Sequence, residues 1–312
     1  MGMDDANQMC DEAVGCFDSD PKHALELFTK AMEVGSANGA FGLAEMLLRG
    51  KAVDNDLDGA VFYYKQAAEA GHAPAMYRLG QIYSGEFGGK EDPVECRSWM
   101  LRAAEAGLPD AVVDIAGIMS CGYGGDKDIE SAFKWYVVAS GLGDAESMYV
   151  VSMMYRDGIG TVADHDLSMS YLNRSVESGF PPAMLYLGIL CHEGTEPGGI
   201  EKALELYSKA VDAGFEKAKF NYATALCDAP GNLKDLPRAF NLYKELADKG
   251  DADAMYMVGS MYIEGSGVEK DVESGFSYLG RAASAGNEAA IQIVESIRRR
   301  QNTQLIKIDG AE

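Results

Sequence analysis

Few residues of this 312-residue chain have the types and spacing of a catalytic or metal site. No His-Glu-x-x-His motif occurs, and no Cys/His set has zinc-finger spacing. The four histidines fall at four different positions of the repeat described below: His23, His72, His165 and His192. Cys191-His192-Glu193 is the one local trio with catalytic residue types. A cysteine nucleophile needs an accessible thiolate, so the trio can be catalytic only if Cys191 is exposed on its secondary-structure element.

Phosphate-binding loops are also missing from the sequence. Several Gly-x-Gly stretches occur, but they follow helices, whereas a dinucleotide-binding fingerprint follows a strand. No Gly-Lys-Ser/Thr loop is present. We therefore expect no cofactor, no metal, no catalytic residues and no enzymatic activity.

A glycine recurs along almost the whole chain and organises every other feature. Six of its seven intervals are 36 residues and one, Gly179 to Gly214, is 35. These marker glycines are Gly35, Gly71, Gly107, Gly143, Gly179, Gly214, Gly250 and Gly286. Self-similarity at such a period is typical of a solenoid, in which neighbouring repeats stack on one another.

Each repeat predicts a pair of helices, A and B. Counted from the marker glycine, offsets 4 and 9 hold small residues, and offsets 8, 11 and 12 hold mostly apolar ones. Offsets 4, 8, 11 and 12 share one face of helix A. Helix A ends at a glycine-rich turn, helix B carries aromatic and alanine positions, and the next marker glycine caps it.

An aspartate column precedes helix B: Asp20, Asp56, Asp92, Asp128, Asp164, Asp235 and Asp271. Aspartate is a favoured N-cap because its carboxylate accepts free backbone N–H groups. We interpret the column as structural. Cys191 takes the place of a helix A tyrosine and is predicted to be buried, which argues against a nucleophile.

The predicted fold is all-α: a right-handed α/α superhelical solenoid of about eight hairpins plus a C-terminal capping helix. We predict one domain over 1–302, with a cap helix at 288–301 and a tail at 303–312. The expected hairpins are 5–34, 37–70, 73–106, 109–142, 145–178, 181–213, 216–249 and 252–285.

The columns resemble the Sel-one-like repeat, an α/α repeat related to the tetratricopeptide repeat. The segment from Ala254 through Gly259, Tyr262 and Gly265-Ser266-Gly267 to Asp271 matches its pattern closely. The likeness covers about residues 20–300. Two units depart from it: the 180–214 unit lacks the aspartate, and the next one replaces the loop glycines with Asp228-Ala229-Pro230-Gly231-Asn232. The resemblance implies an adaptor or scaffold and names no partner.

Composition narrows the partner and the compartment. The net charge is −22, which repels nucleic acid and anionic lipid. The charge has two interpretations, a basic partner or solubility alone, and we favour the second. No run approaches the roughly 18 apolar residues of a membrane span, and no secretory signal is visible. The six cysteines form no Cys-x-x-Cys and are expected to be reduced thiols in the cytoplasm.

A ligand is expected along the concave side lined by helix A, at offsets 3, 6, 10 and 13. Offset 6 holds an aromatic ring in five of seven units. These rings are either groove anchors for a peptide or packing residues between neighbouring A helices. The preferred hot spot is Tyr149, Met153, Arg156, Leu185, Ile189 and His192, and the remaining groove residues are Phe41, Tyr77, Phe220 and Tyr256.

Three hypotheses follow. The favoured one is a non-catalytic scaffold that binds a protein or peptide in this groove. The second is an enzyme, or a regulatory subunit of one, with a site assembled across repeats. The third is an exported effector that acts on host proteins.

Overall fold

The computed structural model describes residues 3–309, with side chains as far as Arg299. Within this range it contains seventeen α-helices, one short 3-10 helix and no strand. The all-α solenoid of helical pairs is thus confirmed. The chain divides into two compact units, Met1–Tyr171 and Leu172–Glu312. The prediction of a single domain over 1–302 stays a prediction.

The first unit contains five helix pairs, with its boundary inside the tenth helix. Odd-numbered helices are the A helices and even-numbered ones are the B helices. Their bounds are α1 Met3–Cys16, α2 Pro21–Glu33, α3 Ala37–Arg49, α4 Leu57–Glu69, α5 Ala73–Tyr83, α6 Pro93–Glu105, α7 Pro109–Cys121, α8 Ile129–Gly141, α9 Ala145–Asp157 and α10 His165–Glu177.

The second unit continues the alternation and ends in an unpaired helix. Its elements are α11 Pro181–His192, α12 Gly199–Asp212, α13 Ala218–Asp228, the 3-10 turn Gly231–Leu233, α14 Leu236–Asp248, α15 Ala252–Glu264, α16 Val272–Ser284 and α17 Glu288–Asp309. The 3-10 turn occupies the place of the missing loop glycines.

The predicted aspartate caps are confirmed. All seven carboxylates accept a backbone N–H from the first turn of their B helix, at 2.9–3.2 Å. Each such cap stabilises its helix by about 1 kcal/mol. In the short repeat α12 begins after Gly198, with no side-chain cap, as its sequence predicts.

The marker glycines end the B helices, as predicted. All eight have φ between 82° and 100°, where a side chain is strained. The small residues of helix A also do what their size suggests. A Cβ on Gly80 would lie 2.8 Å from the Met100 side chain, and one on Gly188 would lie 2.6 Å from the Tyr207 ring.

Each unit has its own apolar core between its A and B helices. In the first, Tyr64, Leu79 and Ile115 are fully buried. In the second, Leu187 and Tyr207 occupy the corresponding place. Burying a side chain of this size contributes about 1.5–3 kcal/mol, so packing rather than helix propensity carries the fold.

The predicted C-terminal tail is wrong over its helical part. α17 runs to Asp309 instead of ending near 301, so residues 303–309 belong to the helix. The physical reason is visible in the sequence, since no glycine or proline interrupts it between Glu288 and Asp309. Residues 310–312 lie outside the described range.

Candidate binding groove

Three adjoining clefts lie along the A helices of the first unit. The α3 cleft, about 500 Å³, and the α5 cleft, about 390 Å³, share Phe41 and Pro74. The α5 cleft and the α7 cleft, about 590 Å³, share Tyr77 and Gln81. Because each cleft shares lining residues with the next, they form one surface, which we call the first-unit groove.

The groove follows the repeat. Offset 3 supplies Asn38, Pro74, Asp110 and Glu146; offset 6 supplies Phe41, Tyr77 and Val113; offset 10 supplies Glu45, Gln81 and Gly117. Residues at these offsets lie on neighbouring faces of consecutive A helices, so stacking the helices aligns them in rows.

The aromatic row at offset 6 is half-buried. The Phe41 ring lies 4.7 Å from the His72 ring and 5.7 Å from the Tyr64 ring. The Tyr77 hydroxyl donates to Asp114 Oδ2 at 2.8 Å. Burial, followed by this hydrogen bond, raises the pKa of Tyr77. Phe41 and Tyr77 therefore contact the next repeat while part of each ring stays exposed. The role of the row as a set of peptide anchors stays a prediction.

An ion cluster centred on the buried Glu45 lines the α3 and α5 clefts. Glu45 is only 6% exposed. Its carboxylate accepts hydrogen bonds from the Tyr64 hydroxyl at 2.6 Å and from Arg78 Nε at 2.9 Å, and it forms an ion pair with Arg49 Nη2 at 2.6 Å. Arg78 also donates to Gln81 Oε1 at 2.8 Å. Burial first, then the Glu45 contact, raises the pKa of Tyr64. Arg49 and Arg78, the two arginines that line the groove, thus both pair with the Glu45 carboxylate.

The rest of the groove is acidic. Its lining holds seven carboxylates, namely Asp11, Asp18, Glu45, Glu86, Asp110, Asp114 and Glu146, against Arg49 and Arg78. Beside the α7 cleft, the Tyr123 hydroxyl donates to Glu91 Oε1 at 2.7 Å, and this bond raises the pKa of Tyr123 to about 12. The groove therefore favours a cationic ligand.

The predicted hot spot divides between the two units. Tyr149 and Met153 are half-buried in the first unit. Arg156 is exposed there and pairs with its neighbour, Nη2 to Asp157 Oδ2 at 2.7 Å. The hydrogen bond from Arg156 lowers the pKa of Asp157. None of the three lines the clefts that form the first-unit groove.

The other predicted groove residues lie in the second unit, where Leu185, Ile189, His192, Phe220 and Tyr256 are all half-buried. His192 Nε2 lies 3.4 Å from Asp228 Oδ2. The Phe220 ring lies 5.2 Å from the Tyr243 ring in edge-on contact. Of the ten predicted residues, Phe41 and Tyr77 line the first-unit groove; the assignment of all ten as a binding site stays a prediction.

Cys191 is fully buried, as predicted, and burial raises the pKa of its thiol. Its Sγ–H contacts the Pro197 carbonyl oxygen at 3.4 Å. A protonated thiol without solvent access is a poor nucleophile. The Cys191-His192-Glu193 trio therefore has no catalytic geometry.

Sequence reasoning missed the Glu45 cluster and the contribution of helix B. Arg49 lies one turn after Glu45, and Arg78 lies at offset 7 of the next repeat, a spacing that becomes meaningful only once the A helices are stacked. Tyr136 of α8 and the turn residue Tyr123 also line the α7 cleft. The column of helix B tyrosines was the available signal for the former.

Among the side chains described, those of residues 3–299, no three His, Cys, Asp or Glu are grouped to hold a metal ion. None of the helices between residues 3 and 309 is long and apolar enough to cross a bilayer.

A family model of the Sel1 repeat matches eight consecutive segments of the chain: 13–36, 37–72, 73–108, 109–144, 145–180, 181–215, 217–251 and 252–287. The chain belongs to the Sel1 repeat family. The resemblance inferred from the residue columns is confirmed. Sel1 repeats form a protein-interaction scaffold fold that is generally non-enzymatic.

Solved structures give the same fold. A Sel1 repeat protein from Oxalobacter formigenes is 24% identical, with 94% of this chain and 87% of that one covered at a TM-score of 0.68. A protective antigen of uropathogenic Escherichia coli, c5321, is 21% identical, with 91% and 70% covered at a TM-score of 0.67. Likeness at this identity shows the fold alone. No curated protein sequence matches the chain.

Proposed function

We propose that this Sel1 repeat protein is a non-catalytic scaffold that holds a basic segment of a partner protein along the first-unit groove. The main support for this proposal is that the three clefts are continuous, since each shares lining residues with the next: Phe41, Pro74, Tyr77 and Gln81. An extended or helical peptide needs such a row of anchors rather than a single enclosed pocket.

Charge supports the basic partner. The groove lining carries seven carboxylates against two arginines, and both arginines pair with Glu45, one of the seven. A negative groove on a chain of net charge −22 attracts a cationic segment and slows its escape. The local arrangement therefore favours a basic partner over the solubility interpretation that composition alone suggested.

The proposal includes a cytoplasmic location. All six cysteines are free, and three of them, Cys10, Cys96 and Cys191, are buried between helices. Secreted chains more often pair their cysteines. Fractionation of the native cells, with an antibody to the chain, tests this part directly.

The test compares one groove residue with one residue outside the groove. Tyr77→Ala removes an aromatic side chain that lines two clefts. Phe62→Ala removes one that is 64% exposed on α4 and lines none of the three. Parallel affinity purification with wild type and both variants identifies proteins that depend on the groove, and calorimetry with the purified partner gives the affinity.

We expect Tyr77→Ala to weaken that partner about 30-fold, which corresponds to a hot-spot loss of about 2 kcal/mol. Phe62→Ala should leave the affinity unchanged, and added salt should weaken wild type. Equal binding by wild type and a folded Tyr77→Ala protein contradicts the proposal. The pair Tyr149→Ala and Met153→Ala, measured in the same way, tests the predicted hot spot of the first unit.

A further inference from the structure

The α7 cleft differs from its neighbours in the chemistry of its lining. Four of its lining residues are apolar: Met100, Val113, Ile118 and Val150. Three carboxylates line it, Glu86, Asp114 and Glu146. Among the side chains of residues 3–299, no lysine, arginine or histidine nitrogen lies within 4.0 Å of a carboxylate oxygen of these three. The α3 cleft, by contrast, contains its own arginine, Arg49.

Ser147 contributes a buried hydroxyl to the lining of the α7 cleft. It is 1% exposed, and its Oγ has no hydrogen-bond partner in the described chain. The offset-4 column holds glycine or alanine in the other seven repeats, so packing does not require a hydroxyl there. Leaving a buried hydroxyl unpaired costs about 1–3 kcal/mol, so its presence needs a reason that packing does not give.

Tyr136 adds a further polar atom. A Cβ on Gly117 would lie 3.9 Å from the Tyr136 hydroxyl oxygen. Because position 117 is glycine, no side chain at offset 10 covers that oxygen. In the second repeat the hydroxyl of the corresponding tyrosine, Tyr64, instead donates a hydrogen bond to Glu45. The lining of the α7 cleft therefore combines hydroxyls and carboxylates with apolar and aromatic side chains.

We propose that the α7 cleft receives an arginine side chain of the bound segment, a specificity pocket that rests on the proposed function of the first-unit groove. The guanidinium donates to Glu146, Asp114 and the Ser147 hydroxyl, and its methylene stem lies on Met100 and Val113. Arginine fits better than lysine because its planar fork carries five donors and stacks on tyrosine rings.

The first experiment uses three capped pentapeptides that differ only at the central position: acetyl-Ala-Leu-Xaa-Leu-Ala-amide with arginine, lysine or citrulline. Citrulline keeps the shape of arginine without its charge. The full-length chain is labelled at its methionine methyl groups, and Met100→Leu assigns the reporter signal in the NMR spectrum. Met255 of the second unit is the control signal.

We expect the arginine peptide to shift the Met100 signal saturably and to leave the Met255 signal unmoved. The lysine peptide should bind several-fold more weakly, and the citrulline peptide at least tenfold more weakly. Citrulline binding equal to arginine binding, or equal movement of the Met255 signal, overturns the pocket.

Two variants test the named donors and acceptors. Ser147→Ala installs the residue that other repeats carry, so the fold is retained, and arginine binding should fall about tenfold. Glu146→Gln removes one charge from the lining and should also reduce arginine binding about tenfold. Glu205→Gln, which changes an exposed carboxylate of the second unit, is the matched control and should have no effect.

Unchanged arginine affinity in both Ser147→Ala and Glu146→Gln overturns the pocket. The outcome for the proposed function is read separately, from the affinity of the purified partner for Tyr77→Ala. If Tyr77→Ala loses the partner while Ser147→Ala and Glu146→Gln bind arginine normally, the groove stands and the pocket fails. If Tyr77→Ala also keeps the partner, both fail.

Discussion

Tyr64 in the first unit and Tyr207 in the second occupy the same place on helix B, and their hydroxyls have opposite surroundings. Tyr64 donates to Glu45, which also holds two arginines. Tyr207 is equally buried, and its hydroxyl has no partner in the described chain. A third member of the column, Tyr243, lies 2.8 Å from the Thr224 hydroxyl.

We attribute the difference to one position on helix A. Offset 10 is Glu45 in the repeat of Tyr64, Ile189 in that of Tyr207 and Thr224 in that of Tyr243. The periodic residues place each tyrosine ring, whereas the non-periodic offset 10 decides what its hydroxyl meets. The repeat thus fixes the packing, and the variable offsets give individual repeats their chemistry.

The largest expected effect is the removal of Glu45. Glu45→Ala leaves the buried Tyr64 hydroxyl without its acceptor and the half-buried Arg78 guanidinium without its carboxylate, so we expect the first unit to lose about 3 kcal/mol of stability. Both tryptophans of the chain, Trp99 and Trp135, lie in the first unit, so urea unfolding followed by tryptophan fluorescence measures this unit.

The control is Asp18→Asn in the same unit. Asp18 pairs with Lys51 at 3.0 Å, but the Asp18 side chain is 82% exposed and the Lys51 side chain 40% exposed, so the change should cost only a few tenths of a kcal/mol. A Glu45→Ala protein whose urea midpoint matches wild type contradicts a stabilising role for the Glu45 cluster.

Tyr64→Phe removes one arm of the same cluster. It keeps the ring and deletes a hydrogen bond to a charged acceptor, so we expect a loss of about 2 kcal/mol. The same urea titration checks this value. A loss as large as that of Glu45→Ala shows that the ring itself is disturbed, and no loss shows that the arginines alone satisfy Glu45.

The pH dependence of the unfolding free energy tests whether Tyr64 has a higher pKa in the folded chain than in the unfolded chain. Because burial and Glu45 raise its pKa in the folded chain above the usual 10.0, the folded state keeps a proton that the unfolded state loses. The stability from this group is complete below pH 10 and decreases as the pH rises above 10, by about 1.4 kcal/mol per pH unit. The urea midpoint of wild type should fall more steeply between pH 10 and 11 than that of Tyr64→Phe; parallel slopes contradict the raised pKa.

Much of the fold was predictable because it depends on periodic positions. The marker glycines, the aspartate caps and the burial of Cys191 all follow from residue columns and local rules for helix ends. The end of α17 was mispredicted because the chain beyond 301 contains no marker residue of the repeat. The groove was predictable only as a set of offsets.

The Glu45 cluster was not predictable in the same way. Its carboxylate, its two arginines and its tyrosine come from three helices, α3, α4 and α5. Their meeting depends on the stacking of one repeat on the next, which no single column records. Sequence columns describe what repeats share, whereas the site is built from what individual repeats do not share.

The smallest expected effect is also the sharpest test of the comparison. Tyr207→Phe removes an unpaired buried hydroxyl and should stabilise α12 by about 1 kcal/mol, the reverse of Tyr64→Phe. Hydrogen exchange of residues 199–212, followed by mass spectrometry, measures this change locally. Ile189→Thr places at offset 10 the residue type that lies beside the Tyr243 hydroxyl. The smaller threonine loses packing, but its hydroxyl can pair with that of Tyr207. This partial compensation should be present only while Tyr207 keeps its hydroxyl. A double-mutant cycle with Tyr207→Phe therefore expects a coupling of about 1 kcal/mol, and a coupling of zero means that offset 10 does not control the tyrosine hydroxyl.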